Sequence, residues 1–400
     1  MLDRVTQLRA DTPGVRHRIH FNNAGAGLMP RPVVEAVQAH TALEAEIGGY
    51  EAADARSEAI AEFYSATGEL LGTAPENIAF APSATDAYSR ALSSVPFEPG
   101  EVILTTRDDY VSNQIAFLSL GKRFGIEVVH APNLPGGGVD VEELAALARS
   151  KRPRLVAVTH VPTNSGLVQP VAEIGALCRE LDLLYLVDAC QSAGQLPLDV
   201  SELGCDFLSA TGRKFLRGPR GSGFLFVSDR ALAAGLEPLF IDMRGADWTA
   251  SGVYAPAATA ARFEDWEFSY AAVLGEAAAI GYALGIGLEP IWQRSSALAA
   301  QLREKLAAVD GVQLLDRGPE LCAIVTFVHP ARDAETLHAE LEQRGINSAV
   351  SSRTTARYDF DEKGVEAAVR LSPHYYNTEE EVDEVVAAVS ELTSEDRRAF

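Results

Sequence analysis

Lys214 lies between Gly212 and Gly218, flanked by Arg213, Arg217 and Arg220. An amine that is buried or crowded by cations loses affinity for its proton and can form a Schiff base with a carbonyl. Upstream, the apolar run Leu183–Val187 leads to Asp188, followed by Ala189, Cys190 and Gln191. A carboxylate at the buried end of a strand is the partner that a protonated pyridine nitrogen requires. The two segments together point to pyridoxal phosphate (PLP), whose protonated ring accepts electrons from a substrate α-carbon.

Other residues could complete such a site. Ser83, Ala84 and Thr85 follow a strand-like run and open a helical stretch. Backbone N–H groups at a helix start, with the two hydroxyls, suit a phosphate; a plain helix cap explains the same residues. Thr211 and Arg213 are further phosphate candidates, arginine because its planar fork donates two hydrogen bonds. Gln191 and Asn164 could meet the ring's phenolic oxygen, although Asn164 in the segment His160–Gly166 also reads as turn chemistry. Tyr110 could stack on the ring or simply pack. Arg370, on the short apolar run Val369–Ser372, calls for an anionic partner. That partner is either a substrate carboxylate or a structural ion pair. Arg353, on the polar loop Ser351–Thr355, is a second candidate of the same kind. His17 and His20 have no third ligand beside them, so no metal site is expected, and Gly218–Gly223 does not match a dinucleotide-binding glycine pattern.

The elements that would position these residues are legible as alternation. Ile78–Ala81, Val102–Thr105, Glu127–His130, Leu155–Thr159, Leu183–Val187, Phe207–Ser209 and Gly223–Val227 read as strands, with helical periodicity over Glu142–Arg149 and Val171–Leu181. Near-continuous apolar strands separated by helices predict an α/β fold with a mostly parallel sheet covered on both faces, which collects ligands beyond its carboxyl edge. A long helix is expected over Ala272–Ala307, then an α+β unit with a helix over Ala334–Arg344 and another from Thr378. The division expected is an N-terminal segment, 1–70, packing with the small domain, a large domain, 71–270, and the linking helix with the small domain, 271–400. Four hundred residues fit two domains. The net charge of −22 argues against a nucleic-acid or anionic-membrane surface. Met1–Asp11 lacks the apolar core of a signal peptide, and Cys178, Cys190, Cys205 and Cys322 are scattered without paired spacing. A cytoplasmic protein with reduced thiols is expected.

In chain order, Ser83–Asp86, Asp109–Asn113, His160–Gly166, Val187–Gln191, Gly212–Lys214 and Arg370–Thr378 resemble the motifs of class V aminotransferase-fold proteins, within the fold-type I PLP superfamily. The likeness extends from Phe21–Gly25 to the last helix. It implies a large seven-stranded cofactor domain, a small domain built from both chain ends, and a homodimer sharing its active sites. By motif position, Lys214 would carry the Schiff base, with Tyr110 beside it at the ring-stacking position. Asp188 would hold the ring nitrogen, Gln191 and Asn164 the phenolic oxygen, and Ala84, Thr85, Thr211 and Arg213 the phosphate. Arg370 would take the substrate carboxylate, with Asn23 and Arg353 as further substrate contacts. Tyr110 stands where cysteine desulfurases carry histidine, and tyrosine is a poorer base at neutral pH. Desulfurases also place a nucleophilic cysteine on the loop before the carboxylate-binding arginine, whereas Ser348–Val369 contains none. Persulfide formation is therefore not expected. The Gly212–Lys214 and Ser372–Thr378 segments resemble isopenicillin N epimerase-like proteins and carbon–sulfur lyases. The expectation is β-elimination from a cysteine S-conjugate, with an aminotransferase, epimerase or decarboxylating or oxidative activity as the alternative. A non-catalytic PLP-binding regulator is the remote one.

Overall fold

A computed structural model describes residues 2–394. Seven strands, β1 (Ile78–Ala81), β2 (Val102–Thr106), β3 (Glu127–Ala131), β4 (Leu155–Thr159), β5 (Leu184–Asp188), β6 (Phe207–Thr211) and β7 (Gly223–Val227), form one sheet. Their order is β1-β7-β6-β5-β4-β2-β3, and β7 alone runs against its neighbours. The central strands are apolar at consecutive positions because both faces are covered. Leu155, Val156, Ala157 and Val158 are all buried, as are Leu186, Val187, Phe207 and Leu208. Separate hydrophobic clusters fill the two sides. Between strands, helices start at capping side chains: Ser83 caps Ala84–Ser94 and Asp140 caps Val141–Lys151. The carboxyl ends of β2, β4, β5 and β6 thus open onto one edge of the sheet.

The second unit is an antiparallel sheet of Gln313–Leu314, Val325–Val328, Ala367–Leu371 and Ala349–Ser352, backed by helices Leu288–Ala307, Ala334–Gln343 and Glu379–Ser394. The N-terminal chain contributes to both units. Ile19–His20 pairs with Ile346–Asn347 in the small unit. Helices Arg31–Ile47 and Ser57–Leu71 pack instead on Tyr270–Ile286, and Phe63, Leu70 and Leu71 enter the large-unit core.

The helix expected over 272–307 is two helices, Tyr270–Ile286 and Leu288–Ala307, meeting at 82°. Gly287 explains the break: its φ of 93° lies in the region that L side chains avoid. Pro290, in the first turn of the second helix, lacks the N–H that a continuous helix would need. Among the described residues no single helix is long and apolar enough to cross a membrane.

Candidate active site

The sheet's carboxyl edge gathers Ser83, Ala84, Thr85, Tyr110, Asp188, Thr211, Arg213 and Lys214 around one cleft, together with Asn113 and Cys190. Asp188 ends β5 and is buried. Its Oδ1 accepts the backbone N–H of Cys190 at 2.9 Å and its Oδ2 accepts Asn113 Nδ2 at 3.1 Å. Burial pushes its carboxyl up, while the Cys190 N–H, Asn113 and Lys214 pull the other way. Lys214 is buried as well; desolvation first, and Arg213 beside it, lower its proton affinity. Neither residue has an ion-pair partner among the described residues. The two groups influence each other without forming an ion pair, which leaves the carboxyl and the amine each open to a ligand that supplies a closer complement.

A second group lies where the small unit meets this edge. Arg370, in the strand Ala367–Leu371, is buried and has no carboxylate partner among the described residues. Its Nη1 donates to Thr163 O and Thr163 Oγ1, each at 2.9 Å, and Nη2 to Asn22 Oδ1 at 3.3 Å. Nε has no acceptor among the described residues. Desolvation, with Arg213 nearby, pulls Arg370 down to about 10. No salt bridge to Arg370 forms among the described residues, and the donors left over, Nε–H and one Nη2–H, match a carboxylate from outside the chain. Thr163 Oγ1 also accepts Gln191 Nε2 at 2.8 Å, so one hydroxyl ties the end of β5 to the small unit.

A family model for class V aminotransferases matches residues 19–385. The chain belongs to the class V aminotransferase family. This class V chain is 29% identical to a probable cysteine desulfurase of Xylella fastidiosa, over 96% of its own length and 94% of the relative's. It is 28% identical to a probable hercynylcysteine sulfoxide lyase of Mycobacterium tuberculosis, with 95% and 92% covered. The isopenicillin N epimerase of Streptomyces clavuligerus is 29% identical, with 82% of each covered. Among solved structures, the apo cysteine desulfurase of Thermococcus onnurineus superposes with a TM-score of 0.88 at 25% identity, covering 97% of this chain and 98% of that one. A lysine variant of C-DES with glycine covalently linked to its PLP cofactor gives 0.86 at 26% identity, covering 96% and 99%. The class V chain is accordingly a PLP-dependent enzyme of the fold-type I architecture, acting on amino acids.

The residues present fit that cofactor. Lys214 and Asp188 would hold its reactive carbon and ring nitrogen, and Arg370, which has no carboxylate partner among the described residues, would face the substrate side. On the phosphate side, Ser83 acts as the helix cap as well: its Oγ accepts Asp86 N–H at 3.1 Å, which leaves the hydroxyl proton free to donate. Thr211 Oγ1 already donates to Ser222 O at 3.1 Å. Tyr110 ends the loop after β2, and its own N–H is held by Asp109 Oδ1 at 2.7 Å.

Several expected residues stand apart from the cleft lining. Gln191 is buried with Nε2 donating to Ala24 O and Thr163, leaving Oε1 without a partner. Asn164 Nδ2 donates to Asp359 Oδ2 at 2.7 Å, a residue of the helix Arg357–Lys363. Asn23 is satisfied structurally: Nδ2 donates to Ser372 O at 2.8 Å and Oδ1 accepts Tyr376 Oη at 2.7 Å. Its neighbour Asn22 is the one that meets Arg370. Arg353 pairs with Asp361 and lines a separate surface depression with Val328, His329 and Glu366.

Sequence reading missed Asn113, Asp109 and Cys190. Asp109 accepts from Tyr110 N–H, Asn113, Gln114 and Thr159, and so sets the donor that reaches Asp188. Asn113 lies one helical turn after Asp109, at the i+4 spacing that brings side chains together. That spacing was the available signal.

Proposed function

We propose that this class V enzyme catalyses β-elimination on a cysteine S-conjugate, expelling a thiol or sulfenate and ending in pyruvate and ammonia. The observation that carries this reading is the lack of a suitable thiol, both in the segment that leads to Arg370 and in the cleft. The segment Ser348–Val369 has no cysteine, and its helix docks through Asp359 onto Asn164. Cys190 is the one thiol in the cleft, and burial pushes it up, away from the thiolate that a sulfur nucleophile requires. A site without a poised thiolate can release sulfur but is poorly equipped to capture it. The likeness to a sulfoxide lyase and to the cystine C–S lyase C-DES supports the same reaction class.

PLP, when bound, supplies the electron sink for the substrate α-carbon. The chain's own residues do the rest. Arg370, held by Thr163 and Asn22, receives the substrate carboxylate. Asp188, fixed by Asn113 and the Cys190 N–H, presents its carboxyl at the end of β5 to the ring nitrogen. Lys214, an amine of lowered proton affinity, is the base that takes the α-proton. Tyr110 closes the opposite side of the cleft. We place the enzyme in the cytoplasm as a homodimer with shared active sites.

The test is an assay of purified holoenzyme against cysteine S-conjugates and their sulfoxides, reading pyruvate with and without a keto-acid acceptor. Pyruvate released without acceptor is expected, and Lys214→Ala should lower it by about 10³-fold or more. Amino transfer or racemisation with no pyruvate from any conjugate would replace elimination by the epimerase or aminotransferase reading. Cysteine-dependent persulfide on the protein would restore the desulfurase one.

A further inference from the structure

The turn carrying Lys214 closes on itself. Gly218 N–H donates to Gly212 O at 2.8 Å, Arg217 N–H to Lys214 O at 3.0 Å, and Gly212 N–H to Ser222 O at 3.1 Å. Beneath it, from the helix Tyr270–Ile286, rises Glu276, fully buried. Its Oε2 accepts the Ser222 hydroxyl at 2.8 Å, while Oε1 has no partner among the described residues. A Cβ at either Gly212 or Gly218 would overlap Oε2. Neither glycine has a positive φ, so space and not backbone conformation is what excludes a side chain there. The rest of the helix surface around Glu276 is alanine, glycine and aliphatic. A buried carboxyl with an unsatisfied oxygen is costly in such a setting, and leucine or alanine would pack without that cost.

We propose that Glu276 is a positioning residue for Lys214: its carboxyl is the floor on which the Gly212–Gly218 turn rests, and it sets where the amine stands relative to the end of β5. This rests on Lys214 as the cofactor lysine. Glu276 touches neither substrate nor cofactor; it acts through two glycines that lie two residues before and four after the lysine. Burial pushes its carboxyl up to about 7, so the neutral acid, which costs less to bury, is well populated near neutral pH.

The experiment titrates the full-length apoprotein with PLP, reading affinity, the pH midpoint of the bound cofactor's visible band, and thermal unfolding. Gly212→Ala forces the overlap and should weaken PLP affinity by about tenfold or more. Adding Glu276→Ala to it, which removes the obstructing carboxyl, should recover most of that loss. Glu276→Ala alone should shift the pH midpoint of the band, and Glu276→Gln, which keeps the shape, should stay within about threefold of wild-type affinity. A double variant no better than Gly212→Ala would overturn the proposal, as would Glu276→Ala with unchanged affinity and midpoint. If Glu276→Ala does not fold, Glu276→Gln combined with Gly212→Ala decides instead, because it retains the overlap and must show no recovery. Borohydride fixation of PLP surviving in Lys214→Ala would fail the lysine assignment separately, leaving the contact between Glu276 and the turn untouched.

Discussion

At the scale of residues, the site is held by charges denied their usual partners. Arg370 spends its donors on Thr163 and Asn22, neither of them charged, and leaves Nε idle. A guanidinium buried this way contributes little to stability, since its desolvation is not offset by a carboxylate. Replacing it therefore separates function from folding. Arg370→Ala should raise KM for the amino-acid substrate by about 10²-fold or more, as loss of a charge-assisted bidentate contact does. Its melting temperature should equal or exceed wild type. Steady-state kinetics and calorimetry on the same preparation check both halves; a KM left unchanged would remove Arg370 from the substrate site. Asp188 shows the converse design. Burial pushes its carboxyl up, Asn113 and one backbone N–H oppose that, and Asp109 in turn aims Asn113.

At the scale of elements, the helix Arg357–Lys363 forms the wall between the two units. Asp359 on it accepts Lys363 Nζ at 2.8 Å and Asn164 at 2.7 Å, while Tyr358 packs at a tilt against His130 and lies under Arg107. Across the seam, Asp108 is buried and pushed up to about 6, by desolvation first and then by Asp359. Its folded value stands above that of the unfolded chain. Its contribution to stability is thus complete below about pH 4 and is lost as pH rises through 6. Asp108→Asn keeps an acceptor for Asn133, which donates to it at 2.7 Å, and removes the charge. The variant should gain about 1–3 kcal/mol over wild type at pH 8 and little at pH 4. Thermal melts at the two pH values test this, and an equal gain at both would show that the charge plays no part.

At the scale of the whole molecule, apolar surface concentrates in one stretch. Phe240, Met243 and Trp248 are 84%, 66% and 83% exposed, and Leu239, Val253 and Tyr254 lie near them in sequence. The hairpin Ala246–Ala250 with Val253–Pro256 carries part of this face outward. On a chain of net charge −22, exposed apolar side chains grouped in this way are where the proposed homodimer would place its interface. Under the homodimer proposal, Trp248→Asp combined with Phe240→Asp should yield a monomer by sedimentation. Such a result together with lost PLP affinity would tie the site to the partner subunit. A double variant that sediments like wild type would move the interface elsewhere.

The sequence by itself determined the seven large-sheet strands to within two residues at each end, because each is a short apolar run between turn signals. It also singled out Lys214, Asp188 and Arg370 as candidates, since their charges stand out against apolar or glycine-rich neighbours, and all three are buried. Gly287 was visible in the sequence, but its positive φ, and hence the break in the long helix, was not. Tertiary structure alone decided the remaining partnerships. Asn22 rather than Asn23 meets Arg370, Asn164 turns to Asp359, and Arg353 turns to Asp361, choices that depend on which strand each side chain faces across the fold. Glu276 is the clearest instance. Sixty-two residues separate it from Lys214 in the chain, and only packing of the helix under the sheet edge brings its carboxyl against Gly212 and Gly218. Local periodicity and composition are short-range properties, whereas contact between distant segments is set by the whole core.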